Sequence, residues 1–485
     1  MDRKWWTLVA VCTGVFMLLL DVTIVNVALP DIQTSLGATL SDLQWVIDAY
    51  ALSLAALLLT AGSIADRVGR RVMFAAGVVV FTLGSALCGA AGDPTVLAVS
   101  RGLQGIGGAI MFATSLALLT TAFHGRDRGT AFGIFGAITG IAVAVGPVLG
   151  GAITSGLTWR WIFFVNIPIG VFALAATLLK VDESRDRRPR RIDYAGLVTF
   201  SSGLASLVYG LIRSNEDGWG STNVVAALVA AVVLLALFGI AERVQREPMF
   251  DLSLAKVPTF VGGLTSAFGI SASLFSLLTY IVLYMQNLLG YSPIEAGVRF
   301  LPLTGAIFLT AGVAGRLSAR VPTRWLIGPG FVLIGVGLLL MHGLTPASDW
   351  TALLAGMVVS GVGAGLVNVP LASTAVAVVE PARAGMASGV NSTFRQVGIA
   401  TGIAVLGAIF SHSVGDTRSP QAFVDGINTI LLVGAAVAFV SAIAALALIR
   451  QRDYVVAAAT SSSTTTSGGA NSRTGSPLVP SPEVT

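Results

Sequence analysis

A long apolar run near the N-terminus contains one isolated carboxylate, and this feature most limits what the chain can become. Residues 7–20 carry no charge, Asp21 follows, and the run continues to Pro30. A helix of about 20 apolar residues spans a bilayer. An ionised carboxylate inside such a span costs on the order of 3 kcal/mol. Asp21 therefore pairs with a cation, binds a proton, or reaches the interface from the helix end.

The composition places this run in a polytopic membrane protein. The 485 residues are 54% hydrophobic and only 11% charged, with a mean hydropathy of +0.84. Soluble domains hold about 25% charged residues. The basic residues lie in short loops between apolar runs, which indicates membrane orientation rather than nucleic-acid binding. No cleavable signal peptide is expected, because the first apolar run is too long and lacks a small-residue cleavage site. No disulfide framework is expected either, because both cysteines lie in apolar runs.

Charge-poor runs predict an all-α polytopic fold with fourteen transmembrane helices. The runs are residues 7–29, 43–65, 72–91, 95–121, 129–154, 161–179, 194–212, 222–241, 259–286, 293–315, 325–342, 350–378, 384–411 and 425–449. Lys and Arg accumulate in one set of alternating loops, and such loops face the cytoplasm. We therefore expect a protein embedded in the lipid bilayer of the inner (plasma) membrane, with both termini cytoplasmic.

An internal repeat divides the chain into two halves. The spacing of Gly62 and Arg67 recurs in Gly315 and Arg320, so helices one to six correspond to helices nine to fourteen. The predicted organisation is an N-terminal six-helix bundle over 1–180, a linker with two inserted helices over 181–257, a C-terminal six-helix bundle over 258–452 and a disordered cytoplasmic tail over 453–485. Parallel repeats of this kind build a class of transporters with the substrate near the midplane.

Several motifs together resemble the major facilitator superfamily, and within it the fourteen-span drug:proton antiporters of multidrug and antibiotic efflux. They occupy residues 20–30, 62–71, 101–105, 140–151 and 159–170. The resemblance implies the major facilitator fold and proton-coupled export of a small amphipathic substrate. It also implies that the proton gradient takes the place of any cofactor. We expect a monomer with protons and substrate as its partners, no nucleic acid and no metal.

The loop between the second and third helices carries small and charged residues: Gly62, Asp66, Arg67, Gly69, Arg70 and Arg71. In the structural interpretation the arginines only fix the topology. Asp66 lies at a helix end, where neighbouring helix termini offer N–H groups. The resemblance implies a cytoplasmic latch that forms and breaks during transport. Because Ala319 replaces Asp66 in the second copy, a latch should depend on the first copy.

The fifth helix carries four glycines and a proline: Gly140, Gly146, Pro147, Gly150 and Gly151. Gly146 and Gly150 share a face and let two helices approach closely. Pro147 removes a backbone hydrogen bond and favours a kink. Generic glycine packing is the alternative interpretation. The resemblance implies the antiporter motif, which acts as a seal or pivot between the halves.

Three ionisable residues are predicted at a similar depth in the N-terminal half. At about 1.5 Å per residue, Asp21, Asp48 and Arg101 lie within about 12 Å of the same membrane surface. Arg101 offsets one negative charge, so the other acid has reason to bind a proton. We expect Asp21 to carry the proton, with Arg101 and Asp48 tuning its proton affinity, and Asp21→Asn to abolish transport without unfolding. A static ion-pair cluster is the alternative.

Further polar and aromatic residues are expected to line the substrate cavity: Asn26, Gln104, Tyr280, Tyr284, Asn391 and Arg395. Arg395 lies about 16 Å into helix thirteen, near the midplane, and Asn391 is one turn earlier. No acid of the C-terminal half is an obvious partner for Arg395. It therefore meets a carboxylate across the cavity, binds substrate, or bonds to helix carbonyls. Its charge argues against a site built only for strongly cationic drugs.

No Walker-type phosphate loop is present, so energy is expected from an ion gradient. A catalytic base, nucleophile or metal cluster is also lacking in the sequence, and we do not expect an enzyme. Two alternatives to a drug:proton antiporter stay open at this point. One is a facilitator or symporter for a small metabolite, against which the helix-five motif argues. The other is a non-transporting membrane sensor, which leaves the repeat and the intramembrane charges unexplained.

Overall fold

The computed structural model describes residues 2–123, 125–185, 193–245, 250, 252–318, 320–379, 384–415 and 419–454. Within these ranges the chain is helical and has no strand. Twelve helices are long and apolar enough to cross a membrane, or up to fourteen if each of two bent helices counts as one span. The predicted all-α polytopic fold is confirmed. Most of the predicted tail, residues 455–485, lies outside the described ranges.

The six helices of the first half are α1 Arg3–Leu36, α2 Leu40–Val68, α3 Arg70–Ala90, α4 Pro94–Ala122, α5 Gly125–Gly156 and α6 Trp161–Lys180. The inserted pair is α7 Tyr194–Asp217 and α8 Thr222–Val244. The second half contains α9 Pro258–Leu288, α10 Pro293–Leu317, α11 Arg324–Met341, α12 Thr351–Ala377, α13 Ala384–Val414 and α14 Pro420–Leu448. Two turns of α9, Ser271–Phe275 and Tyr284–Leu288, are π-helical.

Local sequence signals set the helix ends. Thr39 and Asp42 form a capping box at the start of α2, and such a box satisfies two N–H groups that have no partner inside the helix. Asp93 accepts a hydrogen bond of 2.9 Å from the Val96 N–H at the start of α4, where Pro94 occupies the first turn. Because consecutive spans run in opposite directions, α1 begins and α14 ends at one side of the bundle. We call this side the basic face and the other the opposite face.

The helix-five motif bends α5 and presses it against α1. The helix turns by 41° between its segments Ile134–Ala142 and Val145–Gly156, just before Pro147, whose ring clashes with the carbonyl four residues earlier. The predicted kink is therefore present. A Cβ atom added to Gly146 would lie 1.8 Å from Thr23 Oγ1 of α1. Only a glycine permits this approach.

The same helix touches the second half, backbone to backbone. A Cβ atom at Gly151 would lie 2.4 Å from the Pro293 carbonyl oxygen, and one at Gly297 of α10 would lie 2.3 Å from the Pro147 carbonyl oxygen. The Ile294 N–H donates a hydrogen bond of 3.1 Å to the hydroxyl oxygen of Ser155. We call this contact the glycine seal. Gly297 was not identified from the sequence, because it lies outside the quoted motifs.

The inserted helices pack beside the junction of the two halves. Leu204, Val208 and Ile212 of α7 form an apolar cluster with Ala51 of α2 and Ala400 of α13. The other inserted helix, α8, packs against α7 and leaves a broad apolar face exposed. In a membrane such a face contacts lipid. The insert therefore contacts both halves through α7.

The glycine seal makes a first prediction. Gly297→Ala should force α10 away from α5, because the added methyl group meets a backbone oxygen that cannot turn aside. Overpacking of this kind lowers the free energy of unfolding by about 1–3 kcal/mol. Thermal unfolding of the purified protein, followed by tryptophan fluorescence, measures the change.

Gly305→Ala in the same helix is the matched control, since nothing lies within 4 Å of a Cβ atom there. It should be neutral or slightly stabilising, because alanine is a better helix former than glycine. Equal stability of the two variants would contradict the seal.

Candidate functional site

A buried polar cluster lies inside the first half, and we call it the ion-pair cluster. Arg101 Nη1 donates hydrogen bonds to Asp21 Oδ2 at 2.5 Å and to Gln104 Oε1 at 2.7 Å. The other carboxylate oxygen of Asp21 accepts from Gln104 Nε2 at 2.8 Å and from Asn166 Nδ2 at 3.1 Å. Arg101 is 2% exposed and Asp21 is 0% exposed. Charge-assisted bonds of this kind are the stronger ones in proteins.

Helix packing holds the guanidinium of Arg101 in place on its remaining sides. Its Nε donates a hydrogen bond of 3.1 Å to the Val46 carbonyl oxygen of α2. The guanidinium carbon lies 4.2 Å from the centre of the Tyr50 ring. A Cβ atom at Gly105 would lie 2.5 Å from the Tyr50 carbonyl oxygen, so α2 and α4 are in close contact there. Arg101 is thus neutralised and enclosed.

The structure joins Asp21 to Arg101, as the sequence-based depths predicted. Gln104 was expected in the substrate cavity; in this structure its side chain is 0% exposed and belongs to the ion-pair cluster. Asn166 was missed as a member of the cluster. Its signal was a lone amide within the apolar helix α6, whose register toward Asp21 the sequence does not reveal.

Asp48 lies apart from the ion-pair cluster, which corrects the predicted group of three charges. Its side chain is 0% exposed, and neither carboxylate oxygen has a hydrogen-bond partner in the described part of the chain. Tyr50, which contacts Arg101, is only two residues away on α2. Residues two apart do not share a helix face. Asp48 therefore points away from Arg101.

The face of α2 that carries Asp48 meets the second half. One turn before it, Gln44 Nε2 donates hydrogen bonds of 3.2 Å to Tyr280 Oη of α9 and to the Ile403 carbonyl oxygen of α13. Two turns after it, the Ala55 carbonyl oxygen accepts from Thr393 Oγ1 at 3.4 Å. Asp48 lies between these contacts. We call this boundary between α2 and the pair α9 and α13 the α2 seam.

Tyr280 and Tyr284 were expected to line the substrate cavity, but in this structure protein surrounds both side chains. Both side chains are 0% exposed. The hydroxyl of Tyr280 donates to the Ile403 carbonyl oxygen at 2.7 Å, and that of Tyr284 donates to the Ser348 carbonyl oxygen at 3.4 Å. A Cβ atom at Gly407 would lie 2.6 Å from Tyr280 Oη. These tyrosines belong to the packing of the second half and the α2 seam.

The other predicted cavity residues have different surroundings. Asn26 Oδ1 accepts a hydrogen bond of 3.4 Å from Thr279 Oγ1, so it joins the two halves. Asn391 is 6% exposed, and its Nδ2 has no partner in the described ranges. Arg395 is partly exposed, and its guanidinium carbon lies 6.0 Å from the centre of the Phe275 ring. Their role in binding substrate stays a prediction.

The loop motif is held together within the first half by two acids. Asp66 Oδ1 accepts hydrogen bonds from Arg70 Nε at 3.1 Å and Nη2 at 2.9 Å. Glu183, which follows α6, accepts from the Arg71 N–H at 3.0 Å and the Val72 N–H at 3.3 Å. Asp66 was expected to accept hydrogen bonds from the N–H groups of a helix terminus. In the structure Glu183 caps the N-terminus of α3 instead, and Asp66 pairs with the Arg70 side chain.

Glu183 also explains one glycine of the motif. Gly69 has φ 123°, and a Cβ atom there would lie 2.6 Å from the Glu183 carboxyl carbon. Gly62 is less constrained, since its nearest neighbour, Ala113 Cβ, would be 4.0 Å away. Arg67 is exposed at the end of α2. Ala319 of the second copy lies outside the described residues, and the latch between halves stays a prediction.

At the opposite face, three side chains form a surface cluster between α9, α10 and α12. Tyr291 Oη donates a hydrogen bond of 2.7 Å to Asp349 Oδ1. The guanidinium carbon of Arg299 lies 3.7 Å from the centre of the Tyr291 ring. The hydrogen bond from Tyr291 lowers the pKa of Asp349 below its ordinary value. This cluster fastens the loop before α12 without entering the membrane-spanning region.

The polar groups that distinguish the membrane-spanning helices are a few buried charges. Two buried acids, Asp21 and Asp48, and the buried base Arg101 lie in membrane-spanning helices. In the described ranges, no group of three or more His, Cys, Asp or Glu side chains could hold a metal ion. Long apolar helices in two halves that repeat in sequence, with buried charges, are typical of membrane transporters.

The chain belongs to the Major Facilitator Superfamily, whose family model matches residues 11–402 and 263–480. It is therefore a multi-pass membrane transporter and not an enzyme. The multidrug resistance protein Stp of Mycobacterium tuberculosis is 37% identical over 416 residues, which are 86% of this chain and 77% of that protein. The puromycin resistance protein pur8 of Streptomyces alboniger is 38% identical over 435 residues, which are 87% of this chain and 86% of that protein.

Solved structures share the fold. The crystal structure of a bacterial homologue of the human lysosomal transporter Spinster, in an inward-facing and occupied conformation, has a TM-score of 0.62 to this chain. The alignment covers 94% of this chain and 99% of that one at 16% identity. At this identity the likeness establishes the fold alone. The relatives above, by contrast, are named for drug and antibiotic resistance, and the chain is related to drug-efflux transporters.

The ion-pair cluster makes a second prediction. Asp21→Asn should lower the free energy of unfolding by about 3–5 kcal/mol, because it leaves the buried Arg101 without a counter-charge. This revises the expectation that the variant folds normally. Adding Arg101→Met should restore much of the stability, since a pair of neutral side chains needs no charge compensation. Thermal unfolding of the single and double variants measures both effects.

Asp217→Asn is the control, because Asp217 pairs with Arg213 at 3.3 Å near the end of α7 with both side chains partly exposed. It should cost about 1 kcal/mol or less. A double variant no more stable than Asp21→Asn alone would show that Asp21 and Arg101 do not act as a pair.

Proposed function

We propose that the protein exports amphipathic drugs or antibiotics across the inner membrane in exchange for protons, by alternating access between its halves. The family and the names of the relatives, which concern multidrug and puromycin resistance, support export of such compounds. One observation carries the proton coupling: the carboxyl group of Asp48 is buried without a partner at the α2 seam.

The two acids differ in what surrounds them. Asp21 has a guanidinium and two amide donors, which suit an ionised carboxylate. Asp48 has no hydrogen-bond donor among the described residues, and an isolated ionised carboxylate in an apolar interior binds a proton instead. We therefore assign the proton in this conformation to Asp48, with Asp21 as the fixed counter-ion of Arg101. The sequence had suggested Asp21 as the carrier.

The position of Asp48 links its proton to the movement of the halves. When the α2 seam opens to the outer side, water reaches the carboxyl group of Asp48, and the acid binds a proton from that side. The proton leaves to the cytoplasm in the opposite state, when the basic face is open and the exported compound binds. When the seam closes, an ionised Asp48 would be buried alone, so closure requires a proton. A proton that crosses with a potential of 100 mV supplies about 2.3 kcal/mol for export.

Hydrogen bonds between the halves close the opposite face of the bundle, as expected of the state in which the outer side is shut. At the opposite face, Gln286 Nε2 donates a hydrogen bond of 2.7 Å to the Val27 carbonyl oxygen. Asn287 Nδ2 donates to Gln33 Oε1 at 3.4 Å in the same region. We assign the basic face to the cytoplasm, with both termini there, because basic loops face the cytoplasm. These bonds and the glycine seal then close the outer side.

The remaining partners follow from this scheme. Protons, a small amphipathic substrate and the lipid bilayer are the partners of a chain that works as a monomer, with the proton gradient in place of a cofactor. A facilitator or symporter for a small metabolite is the alternative. The glycine seal of helix five argues against it, since the resemblance to the antiporter motif lies there. A non-transporting sensor gives no reason for an acid at the seam.

Export measurements make a third prediction. In everted membrane vesicles, transport of a fluorescent drug should stop when an uncoupler collapses the proton gradient. Asp48→Asn should remove uncoupler-sensitive export while the protein stays as stable as the parent, because the asparagine resembles a protonated acid. Asp48→Glu is the matched control and should keep part of the export, since it retains a group that binds a proton.

Two outcomes would contradict the scheme in different ways. Export that continues unchanged with the uncoupler would exclude the proton gradient as the energy source. Normal pH-dependent export by Asp48→Asn would remove Asp48 from the role.

A further inference from the structure

The guanidinium of Arg395 lies deep in α13 without a counter-ion in the described part of the chain. Arg395 follows Ala384, the first residue of α13, by eleven positions, so it lies about 16 Å from the basic end of the helix. It has neither an ion pair nor a hydrogen bond among the described residues, and its side chain is partly exposed. A guanidinium stays charged at every physiological pH. A cation at this depth is costly unless something pairs with it.

A second donor without an acceptor lies one turn away. Asn391 is on the same face of α13 as Arg395, since residues four apart are neighbours on a helix. Its side chain is more than nine-tenths buried, and its Nδ2 has no hydrogen-bond partner in the described ranges. Buried donors are almost always satisfied in folded proteins. Two neighbouring donors, one of them cationic, therefore lack an acceptor.

A π-helical turn places an aromatic ring near the guanidinium of Arg395. Phe275 ends the π turn Ser271–Phe275 of α9, and the Arg395 guanidinium carbon lies 6.0 Å from the centre of its ring. The turn is fixed to α13, because Ser276 Oγ donates to the Ser271 carbonyl oxygen at 2.9 Å and to the Ile399 carbonyl oxygen at 3.2 Å. Single π turns inside helices often occur at functional sites.

We infer that Arg395 and Asn391 bind a carboxylate on the exported compound, while its aromatic or other apolar part packs against Phe275. This inference rests on the export proposed above and narrows its substrates to amphipathic molecules that carry an acidic group. A planar guanidinium matches the two oxygens of a carboxylate. An amide donor one turn away suits one of those oxygens, so the three side chains together recognise an acid joined to a ring.

Within the described ranges, no acid of this chain fills the same place in the observed conformation. Asp48 is the unpaired acid of the α2 seam, but the contacts of Gln44 with Ile403 and of Ala55 with Thr393 set the register between α2 and α13. In that register Asp48 lies about one turn farther along α13 than Arg395. No ion pair between Asp48 and Arg395 is present. Among the described residues no acid pairs with Arg395, and we therefore assign the acceptor to the substrate.

Two dyes that differ in a single group test the inference. Rhodamine 110 carries a free carboxyl group, and rhodamine 123 is its methyl ester with the same ring system. Binding of each dye to the purified full chain in phosphatidylcholine nanodiscs is measured by fluorescence polarisation, so no anionic lipid competes for Arg395. The parent protein should bind rhodamine 110 about tenfold more tightly, which matches about 1.4 kcal/mol for one charge-assisted contact.

Variants assign this preference to the proposed residues. Arg395→Gln should abolish the preference by weakening binding of rhodamine 110 about tenfold, with binding of rhodamine 123 unchanged. Arg395→Lys should keep part of the preference, because the positive charge remains. Arg299→Gln is the control variant, since Arg299 stacks on Tyr291 at the opposite face. It should leave the preference intact.

The possible results separate this inference from the export proposal. Equal affinity of the parent protein for the two dyes, including no binding of either, overturns the inference. Equal weakening of both dyes by Arg395→Gln also overturns it, because a structural role or an ion pair with Asp48 would then explain the residue. Uncoupler-sensitive export of rhodamine 123 in vesicles reports on the proposed function independently of the carboxyl group.

Discussion

A guanidinium that cannot lose its charge is buried in the first half, and the surrounding helices are arranged to satisfy it. Arg101 of α4 bonds to Asp21 of α1, to Gln104 one turn along its own helix, and to a carbonyl oxygen of α2. Asn166 of α6 donates a further hydrogen bond to the carboxylate of Asp21. Four helices of the half thus share one polar centre. Removing either charge leaves the other buried alone, so the centre stabilises the half only as a unit.

Rigid halves need a boundary that can open, and glycine supplies part of it. At the glycine seal, a backbone oxygen of the other half packs against Gly151 and against Gly297, in the space that a side chain would otherwise occupy. The glycines bring the two backbones into direct contact there. The α2 seam is different, because it buries the carboxyl group of Asp48 beside hydrogen bonds from Gln44. One boundary is closed by backbone contact at glycines, whereas the other buries an acid, which we propose binds the coupled proton.

The sequence predicted how deep a residue lies in the membrane better than the direction in which its side chain points. Hydropathy and the rise of a helix placed Asp21 and Arg101 in one layer, and the structure pairs them. Asp48 was placed in the same layer but points to the other half. Tyr280 and Tyr284 were expected to line the substrate cavity, yet both side chains are buried in protein. Glu183 was missed, because a residue after α6 caps α3 only once the chain has folded.

The spans, the repeat and the set of buried charges were determined by the sequence alone. These properties are local, since about 20 apolar residues must cross a bilayer whatever surrounds them, and an isolated charge is costly wherever it stands. Tertiary structure alone decided which charges meet. Each residue turns the helix by about 100°, so a residue's partner depends on how the helix is rotated against its neighbours. That rotation is set by packing, here by glycines at the contacts. It gave Asp21 a partner and left Asp48 and Arg395 without one among the residues that the structure describes.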